Sequence, residues 1–278
     1  MPFHERAYAK LNLILQVGPP RDADALHPLC SLFASIDLAD EIEGSGTAAG
    51  YDSVECPGVP GRNLALDAIE AFRDRVGVQG GFVAVRIDKR IPVAAGLGGG
   101  SADAAAVLRM LNRMNSSPLD SGELRDLGAR LGADVPSQVE PGHALVQGVG
   151  ERVERVELPA LTAVLVPSDT GLRTADVYAE LDRLGGWRER LHPEQLRRAA
   201  GADPARLAAA LENDLEQAAL SLRPELQRTL ARLHSTDALG AAVSGSGPTC
   251  FGLFETRAAA RAAAASIPGA IVSGFRDA

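Results

Sequence analysis

A glycine-dense segment between Pro92 and Ala105, PVAAGLGGGSADAA, constrains the fold more than any other part of the chain. Four of the five residues from Gly96 to Gly100 are glycine, and apolar residues at helical spacing follow them. Such a loop brings bare backbone N–H groups close to a polyanion, and the start of a helix adds unpaired donors and a partial positive charge. The pattern predicts a phosphate-binding loop that opens into a helix, with Ser101 or Asp103 capping or charging the first turn.

Two common phosphate-binding patterns are absent from this segment. No lysine follows the glycines, which excludes the G-x-x-x-x-G-K-[ST] loop. The dinucleotide pattern G-x-G-x-x-G fails at Ser101 when it is read from Gly96, and at Asp103 when it is read from Gly98. A flexible glycine linker is the alternative, although a linker would not lead directly into an amphipathic helix.

Length and charge set the broad class of the protein. The 278 residues allow two modest domains or one large one, and a hydrophobic fraction of 46% is ordinary for a globular protein. No apolar run approaches the roughly 20 residues that a membrane helix needs. The net charge of −8 argues against nucleic acid or an acidic membrane as the main partner. A small anionic substrate remains possible, provided that its phosphates are attracted locally.

Cysteine and lysine usage adds two further expectations. The three cysteines (Cys30, Cys56 and Cys250) have no metal-ligand spacing, which is typical of buried thiols in the cytoplasm, and the N-terminus has no convincing signal peptide. Of 28 basic residues only two are lysines, Lys10 and Lys89. Either a compact ammonium is needed at these positions, where an arginine fork would not serve, or the two lysines remain by chance.

Hydrophobic periodicity predicts a mixed structure of the α+β class, with a boundary near residues 153–159. Lys10 and Asn12 share the polar face of the first strand. The predicted strands cover residues 7–15, 31–43, 82–87, 143–149, 151–158, 159–167, a glycine-interrupted 241–254 and a short strand that ends near 273. The predicted helices cover 63–76, the run after the glycine loop, 121–131, 174–184, 193–200, 204–220, 223–234 and 256–266, while 44–62 is predicted as a loop with room for one short strand.

A second informative segment, GADVPS, runs from Gly132 to Ser137. It places Asp134 after a helix stop and before a proline, on a constrained backbone. Spacing alone leaves two roles open, because an aspartate beside a proline commonly caps a short helix and a fixed carboxylate also suits catalysis.

In order along the chain, these segments resemble the GHMP kinases. The matching strings are AYAKLNL in the first strand, IPVAAGLGGGSADAAAVLRMLN, GADVP followed by GHALVQGVGERV, and AVSGSGPT at 242–249. They are most similar to the branch that phosphorylates the 2-hydroxyl of a cytidylyl substrate, 4-diphosphocytidyl-2-C-methyl-D-erythritol, in the non-mevalonate isoprenoid pathway. The resemblance implies a two-domain GHMP-kinase-like fold, with an ATP-binding domain over residues 1–155, a C-terminal domain over 156–278 and the active site in the cleft between them.

The resemblance also implies catalytic roles and two cofactors, ATP and Mg²⁺. Asp134 would act as the base that takes the proton of the acceptor hydroxyl, and Lys10 would keep Asp134 ionised and steady the transferred phosphate. Asn63 and Lys89 match positions near adenine, and Ser101 is either a Mg²⁺ ligand or a helix cap. The residues expected to bind the ATP phosphates are Pro92, Val93, Ala94, Ala95, Gly96, Leu97, Gly98, Gly99, Gly100, Ser101 and Ala102.

The expected substrate site consists of Asn12, His27, Tyr178, Ser246 and Gly247, of which His27 and Tyr178 would hold the cytosine ring. The chain departs from the family pattern beside His27, because Leu26 replaces an aromatic residue and Ala25 replaces a glycine. His27 could instead be a surface residue, and SGSGP could be an ordinary turn. Two alternatives stay open, a homoserine- or mevalonate-type kinase and a nucleotide-binding sensor without catalysis, and so does the oligomeric state.

Overall fold

The computed structural model describes residues 2–77 and 81–276. Contacts within the chain divide it into two compact units. Unit 1 contains the segment that ends at Ala9, Leu38–Val93 and Gly98–Pro141, and unit 2 contains Lys10–Asp37, Ala94–Leu97 and the chain from Gly142 onward. Strands β1 (Phe3–Val17) and β2 (Leu29–Thr47) contribute residues to both units. The boundary predicted at residue 155, between an ATP-binding domain and a C-terminal domain, stays a prediction.

Unit 1 packs helices against one face of a sheet. Its further elements are β3 (Ser53–Glu55), α1 (Leu64–Val76), β4 (Phe82–Asp88), α2 (Gly99–Met114), α3 (Ser121–Ala129) and α4 (Val135–Val139). The second half of β2 pairs antiparallel with β4, from Glu41 opposite Asp88 to Thr47 opposite Phe82, and β3 joins β4 in parallel. Alternate residues of β4 are buried in the core with α1 and α2, as the period of two in FVAVRI predicts.

Small residues let the elements of unit 1 approach closely. The end of the Met110 side chain on α2 packs over Gly44 of strand β2, 2.4 Å from where a side-chain carbon at Gly44 would lie. At Gly128 such a carbon would lie 2.9 Å from Val135, which brings α3 close to α4. These contacts fix the two segments that carry the candidate site in this unit.

Unit 2 contains a four-stranded antiparallel sheet in the order β11-β7-β10-β9. The first half of β2 pairs antiparallel with β5, which pairs with β6, and β8 lies parallel to the end of β1. The elements are β5 (Ala144–Gly148), β6 (Arg152–Arg155), β7 (Thr162–Val166), α5 (Thr174–Leu184), α6 (Pro193–Ala200), α7 (Pro204–Ala209), β8 (Glu212–Asn213), α8 (Glu216–Leu222), α9 (Leu226–His234), β9 (Gly240–Val243), β10 (Cys250–Phe254), α10 (Arg257–Ala265) and β11 (Ile271–Gly274).

The α+β class is confirmed, and two element predictions are corrected. The single helix predicted over 204–220 is wrong, because pairing of Glu212–Asn213 with β1 interrupts it. The glycine-interrupted β segment predicted over 241–254 is confirmed as two antiparallel strands joined by a turn. Strand β2 continues to Thr47, inside the predicted loop, because β4 supplies its hydrogen-bonding partners.

Candidate active site

The N-terminus of α2 matches the predicted phosphate loop. Gly98 occupies the N-cap position with a left-handed φ of 71°, and no side chain caps the helix at this end. The first turn also contains no acidic residue, so the prediction that Ser101 or Asp103 caps or charges it is wrong. Gly98 O accepts a hydrogen bond from Ala102 N (2.9 Å), and the amides of residues 99–101 precede that first helical bond. An end of this kind suits an anion.

The segment that carries Asp134 lies against this helix end within unit 1. A side-chain carbon at Gly132 would lie 3.9 Å from Ser101 Oγ, so the backbone two residues before Asp134 adjoins the first turn of α2. Asp134 occupies the N-cap position of α4, but its side chain makes no cap hydrogen bond. Its backbone carbonyl accepts a hydrogen bond from Ser137 Oγ at 2.8 Å. The half-buried Asp134 side chain is therefore not committed to capping α4.

The two residues predicted near adenine have other contacts in unit 1. Asn63 caps α1, because its Oδ1 accepts a hydrogen bond from Ala65 N at 2.9 Å. Lys89 Nζ donates to Asp40 Oδ2 (2.5 Å) and to Asp103 Oδ2 (2.8 Å), and both carboxylates are buried. Adenine contacts of Asn63 and Lys89 stay predictions.

Lys89, Asp40 and Asp103 form an ion cluster, and burial has the largest effect on the pKa of Asp103 and of Lys89 in it. Burial raises the pKa of the Asp103 carboxyl to about 7. The Lys89 ammonium opposes this rise, and the Asp40 carboxylate adds to the rise. Burial alone would lower the pKa of Lys89, but the two carboxylates outweigh burial and the pKa rises. The ammonium is therefore held in its charged form.

In unit 2, Lys10 and Asn12 form a buried polar chain on β1. Lys10 Nζ donates to Asn12 Oδ1 at 2.6 Å and lies 4.9 Å from the centre of the Phe33 ring. Asn12 Nδ2 donates to Ser31 Oγ at 2.9 Å, and Ser31 Oγ donates to Ile14 O at 2.7 Å. The alternation in AYAKLNL thus places Lys10 and Asn12 together, as predicted.

The middle of the glycine loop packs on the turn between β9 and β10 in the same unit. A side-chain carbon at Gly96, whose φ is 74°, would lie only 2.2 Å from Ser244 O. Gly96 O accepts from Ser244 Oγ at 3.0 Å, and Ala95 O accepts from Thr249 N at 3.3 Å. Leu97 O accepts from the Lys10 amide at 3.0 Å, which ties the loop to β1.

The turn itself is fixed by partners that are distant in the sequence. Asn213 Nδ2 donates to Val243 O (2.9 Å) and to Gly245 O (2.8 Å), and Ser246 Oγ lies 3.1 Å from Thr174 Oγ1. A side-chain carbon at Gly245 would lie 2.9 Å from Asn12 Oδ1 and 3.4 Å from Lys10 Nζ. The SGSGP turn, which carries little sequence signal of its own, is thereby next to the hydrogen-bonded side chains of Lys10 and Asn12.

His27 and Tyr178, the predicted cytosine residues, are also neighbours in unit 2. Their ring centres lie 5.3 Å apart at 42°. His27 is buried, and its Nδ1 lies 2.7 Å from Gly18 O; because a carbonyl oxygen only accepts, Nδ1 is the donor. Its Nε2 lies 3.4 Å from Asp182 Oδ1, and Leu26 is 50% exposed beside it. The surface alternative for His27 is wrong.

Several other predicted ATP residues differ in exposure. Val93 is 58% exposed, whereas Ala95, Leu97 and Ala102 are buried. Ala94 has a left-handed φ of 52°. Pro92 is half-buried and Gly100 is exposed.

Sequence reasoning missed Asn213, Ser31, Ser244 and Asp182. Asn213 lies within the predicted helix 204–220, and its partners in the turn are about thirty residues away. No local pattern marks such pairs.

Within residues 2–77 and 81–276, no helix is both long and apolar enough to span a membrane. The same residues contain no group of three or more His, Cys, Asp or Glu side chains that could hold a metal ion.

Comparison with known proteins supports one family across the chain. The profile of the GHMP kinases N terminal domain matches residues 63–142, and the GHMP kinases C terminal profile matches 194–271. The 4-diphosphocytidyl-2-C-methyl-D-erythritol kinase of Anaeromyxobacter sp. (strain K) is 44% identical over 95% of this chain and 84% of its own length. That of Nocardia farcinica is 43% identical, over 98% and 91%.

A solved structure of 4-(cytidine 5'-diphospho)-2C-methyl-D-erythritol kinase has a TM-score of 0.82 and 34% identity, and covers 99% of this chain and 100% of its own. The mevalonate kinase of Methanococcus jannaschii, at 12% identity, covers 100% and 99% of the two chains and shares the fold with a TM-score of 0.73. With its two family domains and its α+β elements, the chain belongs to the GHMP kinases, in the family of the 4-diphosphocytidyl-2-C-methyl-D-erythritol kinases.

Proposed function

We propose that this chain transfers the γ-phosphoryl group of ATP to the 2-hydroxyl of 4-diphosphocytidyl-2-C-methyl-D-erythritol, giving the 2-phosphate. ATP use follows from membership of the GHMP kinases, and the names of the relatives support the acceptor. One structural observation carries the reaction type: the α2 end without a side-chain cap adjoins the Asp134 segment in unit 1. This arrangement brings the backbone two residues before Asp134 next to a helix end that suits an anion.

Asp134 acts as the general base in this proposal. Phosphoryl transfer passes through a loose transition state, so the protein mainly positions groups and neutralises charge. Asp134 orients the acceptor hydroxyl and takes its proton as the new O–P bond forms and the bond to the ADP oxygen breaks. Its side chain makes no cap hydrogen bond at the start of α4.

Lys10 neutralises developing charge on the transferred group. Asn12 Oδ1 accepts from its ammonium at 2.6 Å, which fixes the direction of the buried lysine side chain. A preorganised cation of this kind stabilises a transition state without having to reorient. In the same proposal, Ser246 and Gly247 border the acceptor, because they lie on the turn next to the Lys10 and Asn12 side chains.

Mg²⁺ fits a site that the nucleotide helps to form. This ion usually keeps several waters and takes one or two protein oxygens together with substrate phosphates. Ser101 Oγ is an oxygen donor of this kind, half-buried in the first turn of α2 and adjacent to Gly132. When bound, Mg²⁺ would neutralise charge on the phosphates.

Recognition of the cytosine ring rests on Tyr178 and His27. Tyr178 offers a ring for stacking, and His27 is held in one orientation by Gly18 O and Asp182. Leu26 covers the other face less favourably than an aromatic ring would. The cytoplasmic location, the oligomeric state and the expected absence of nucleic-acid and membrane partners stay predictions.

An ATP-consumption assay over four acceptors tests the function. The panel is 4-diphosphocytidyl-2-C-methyl-D-erythritol, homoserine, mevalonate and galactose, each with ATP and MgCl₂. We expect ADP release only with the first, and phosphorus NMR should show the new phosphate on its 2-oxygen. Turnover of homoserine or mevalonate instead would contradict the acceptor, and ATP binding without any turnover would support the sensor alternative.

A further inference from the structure

The ion cluster formed by Lys89, Asp40 and Asp103 connects the two flanks of the glycine loop in unit 1. Asp40, on β2, accepts backbone hydrogen bonds at Oδ1 from Arg90 N (2.6 Å) and Ile91 N (2.8 Å), just before the loop. Its Oδ2 accepts from Lys89 Nζ, which also reaches Asp103 in the first turns of α2. One buried carboxylate thus fixes the chain entering the loop, and one ammonium ties it to the helix leaving the loop.

Gly99 brings the helix start directly onto this cluster. A side-chain carbon at Gly99 would lie 3.2 Å from Lys89 Nζ and 3.0 Å from Ile91 Cγ2. The α-carbon of Gly99, the first residue of α2, therefore faces the ammonium and the Ile91 side chain, and a larger residue would crowd both. The exposed fraction of the Lys89 side chain is only 12%.

The chemistry of the cluster accounts for one of the two lysines in an arginine-rich chain. A compact ammonium donates to two carboxylates from one point, whereas the planar guanidinium fork of arginine demands a wider arrangement. Two carboxylates and one ammonium are costly to bury, so their retention suggests a role in conformational specificity rather than in stability.

We propose that Lys89, Asp40 and Asp103 are positioning residues that set the spacing of the α2 N-terminal amides for the ATP phosphates. This inference rests on the proposed function, since it assumes that those amides bind ATP. It assigns Lys89 a role through the loop rather than through adenine.

Binding of ATP and of inorganic tripolyphosphate, measured by calorimetry with MgCl₂, separates the two roles of Lys89. We expect Lys89→Met to weaken the binding of both ligands by a similar factor of roughly 10 or more. Misplaced amides lose contacts to the phosphates, which both ligands carry, and the adenine ring of ATP does not replace those contacts. A loss confined to ATP would overturn the proposal in favour of an adenine contact. Wild-type affinity for both ligands in a folded Lys89→Met variant would overturn it as well.

Asp103 variants separate positioning from simple charge. Asp103→Ala removes a negative charge, so electrostatics alone would tighten tripolyphosphate binding, whereas loss of the tie to Lys89 should weaken it. Asp103→Asn keeps an acceptor for Lys89 and should bind close to the wild-type affinity. Tighter binding by Asp103→Ala, or equal affinities of the two variants, would overturn the proposal.

Arg73→Met is the matched control. Arg73 forms a half-buried pair with Asp52 in the same unit, with Nη2 2.6 Å from Oδ1, and has no part in the proposed site. The Arg73→Met variant should have a lower melting temperature, while its affinities for ATP and for tripolyphosphate and its KM for ATP should be unchanged. If the wild-type protein bound neither ligand, the proposed function itself would fail; if it bound both and Asp103→Ala matched it, only the positioning role would fail.

Discussion

Single residues in this protein are constrained by close backbone contact as much as by chemistry. Gly96 has a left-handed φ of 74°, and a side-chain carbon at this position would lie 2.2 Å from Ser244 O. Gly269, in the same unit, has nearly the same φ of 73°, but a side-chain carbon there would have no atom within 4 Å. The pair separates the cost of the backbone conformation from the cost of crowding.

Gly269→Ala should lower the free energy of unfolding by about 1–2 kcal/mol, the usual cost of a left-handed alanine. Gly96→Ala should lower it by at least about 3 kcal/mol, because a methyl group must also displace backbone. Urea unfolding of both variants measures the difference. Equal losses would show that the Ser244 contact does not constrain the loop.

Tyr178→Ala should raise the KM for the cytidylyl substrate by about 10-fold or more, because the stacking ring is lost. The KM for ATP should change little. Tyr178→Phe keeps the ring and should stay close to the wild-type values in steady-state assays. A comparable rise of both KM values in Tyr178→Ala would contradict the cytosine assignment.

The three cysteines should react slowly in the native protein. Burial raises the pKa of the Cys30 thiol to about 11 and that of Cys250 to about 12, and it also raises the pKa of the half-buried Cys56. Since the thiolate is the reactive form, little of it is present at pH 8. Ellman's reagent should label Cys56 first, and all three only after denaturation; fast labelling of Cys30 or Cys250 in the native state would refute this.

Sequence reasoning works at single residues where one local pattern decides. Alternation places Lys10 and Asn12 on one face, and their side chains are hydrogen-bonded. The rarity of lysine marks position 89 as unusual but does not reveal its partners, because Asp40 lies forty-nine residues away, on strand β2. An ion pair between distant residues leaves no periodic signal.

Individual helices and strands show where tertiary contacts override propensity. Residues 204–220 have helical composition, yet β8 interrupts them. Asp214 N donates to Leu15 O at 3.0 Å, and Asp214 Oδ2 accepts from Val17 N at 2.9 Å. Pairing with β1 therefore outweighs the small free energy of continuing the helix. The same break frees Asn213 to hold the turn between β9 and β10.

Asn213→Asp should lower both the melting temperature and kcat/KM. The change replaces a donor by an acceptor that faces Val243 O and Gly245 O, which costs about 1–3 kcal/mol. The turn that carries Ser246 and Gly247 should loosen with it. Calorimetry and steady-state kinetics measure the two effects.

Asn112→Asp is the matched control for this change. Asn112 Nδ2 donates to Leu119 O at 2.8 Å, so the same chemistry is lost near the far end of α2. Its melting temperature should fall, while kcat/KM should stay within about 2-fold, since only stability is affected. Equal kinetic losses in Asn112→Asp and Asn213→Asp would mean that general destabilisation explains both.

Over the whole chain, ordered motifs are more informative than element boundaries. The glycine loop, the GADVP segment and the SGSGP turn each lie in a defined structural setting, and the family they indicate is confirmed. The two compact units are not two consecutive segments, because β1 and β2 contribute residues to both. Which residues pack together is set by strand pairing, and hydrophobic periodicity along one chain does not encode those partners.

The kinetics of Asp134→Asn test the central claim, that Asp134 is the base for phosphoryl transfer from ATP held at the start of α2. The change keeps the size of the side chain and removes the carboxylate, so kcat should fall by about 100-fold or more, the range for a lost general base. The Kd of ATP, measured by calorimetry, should stay near the wild-type value because the α2 amides are untouched. A kcat within a few-fold of the wild type would contradict the account.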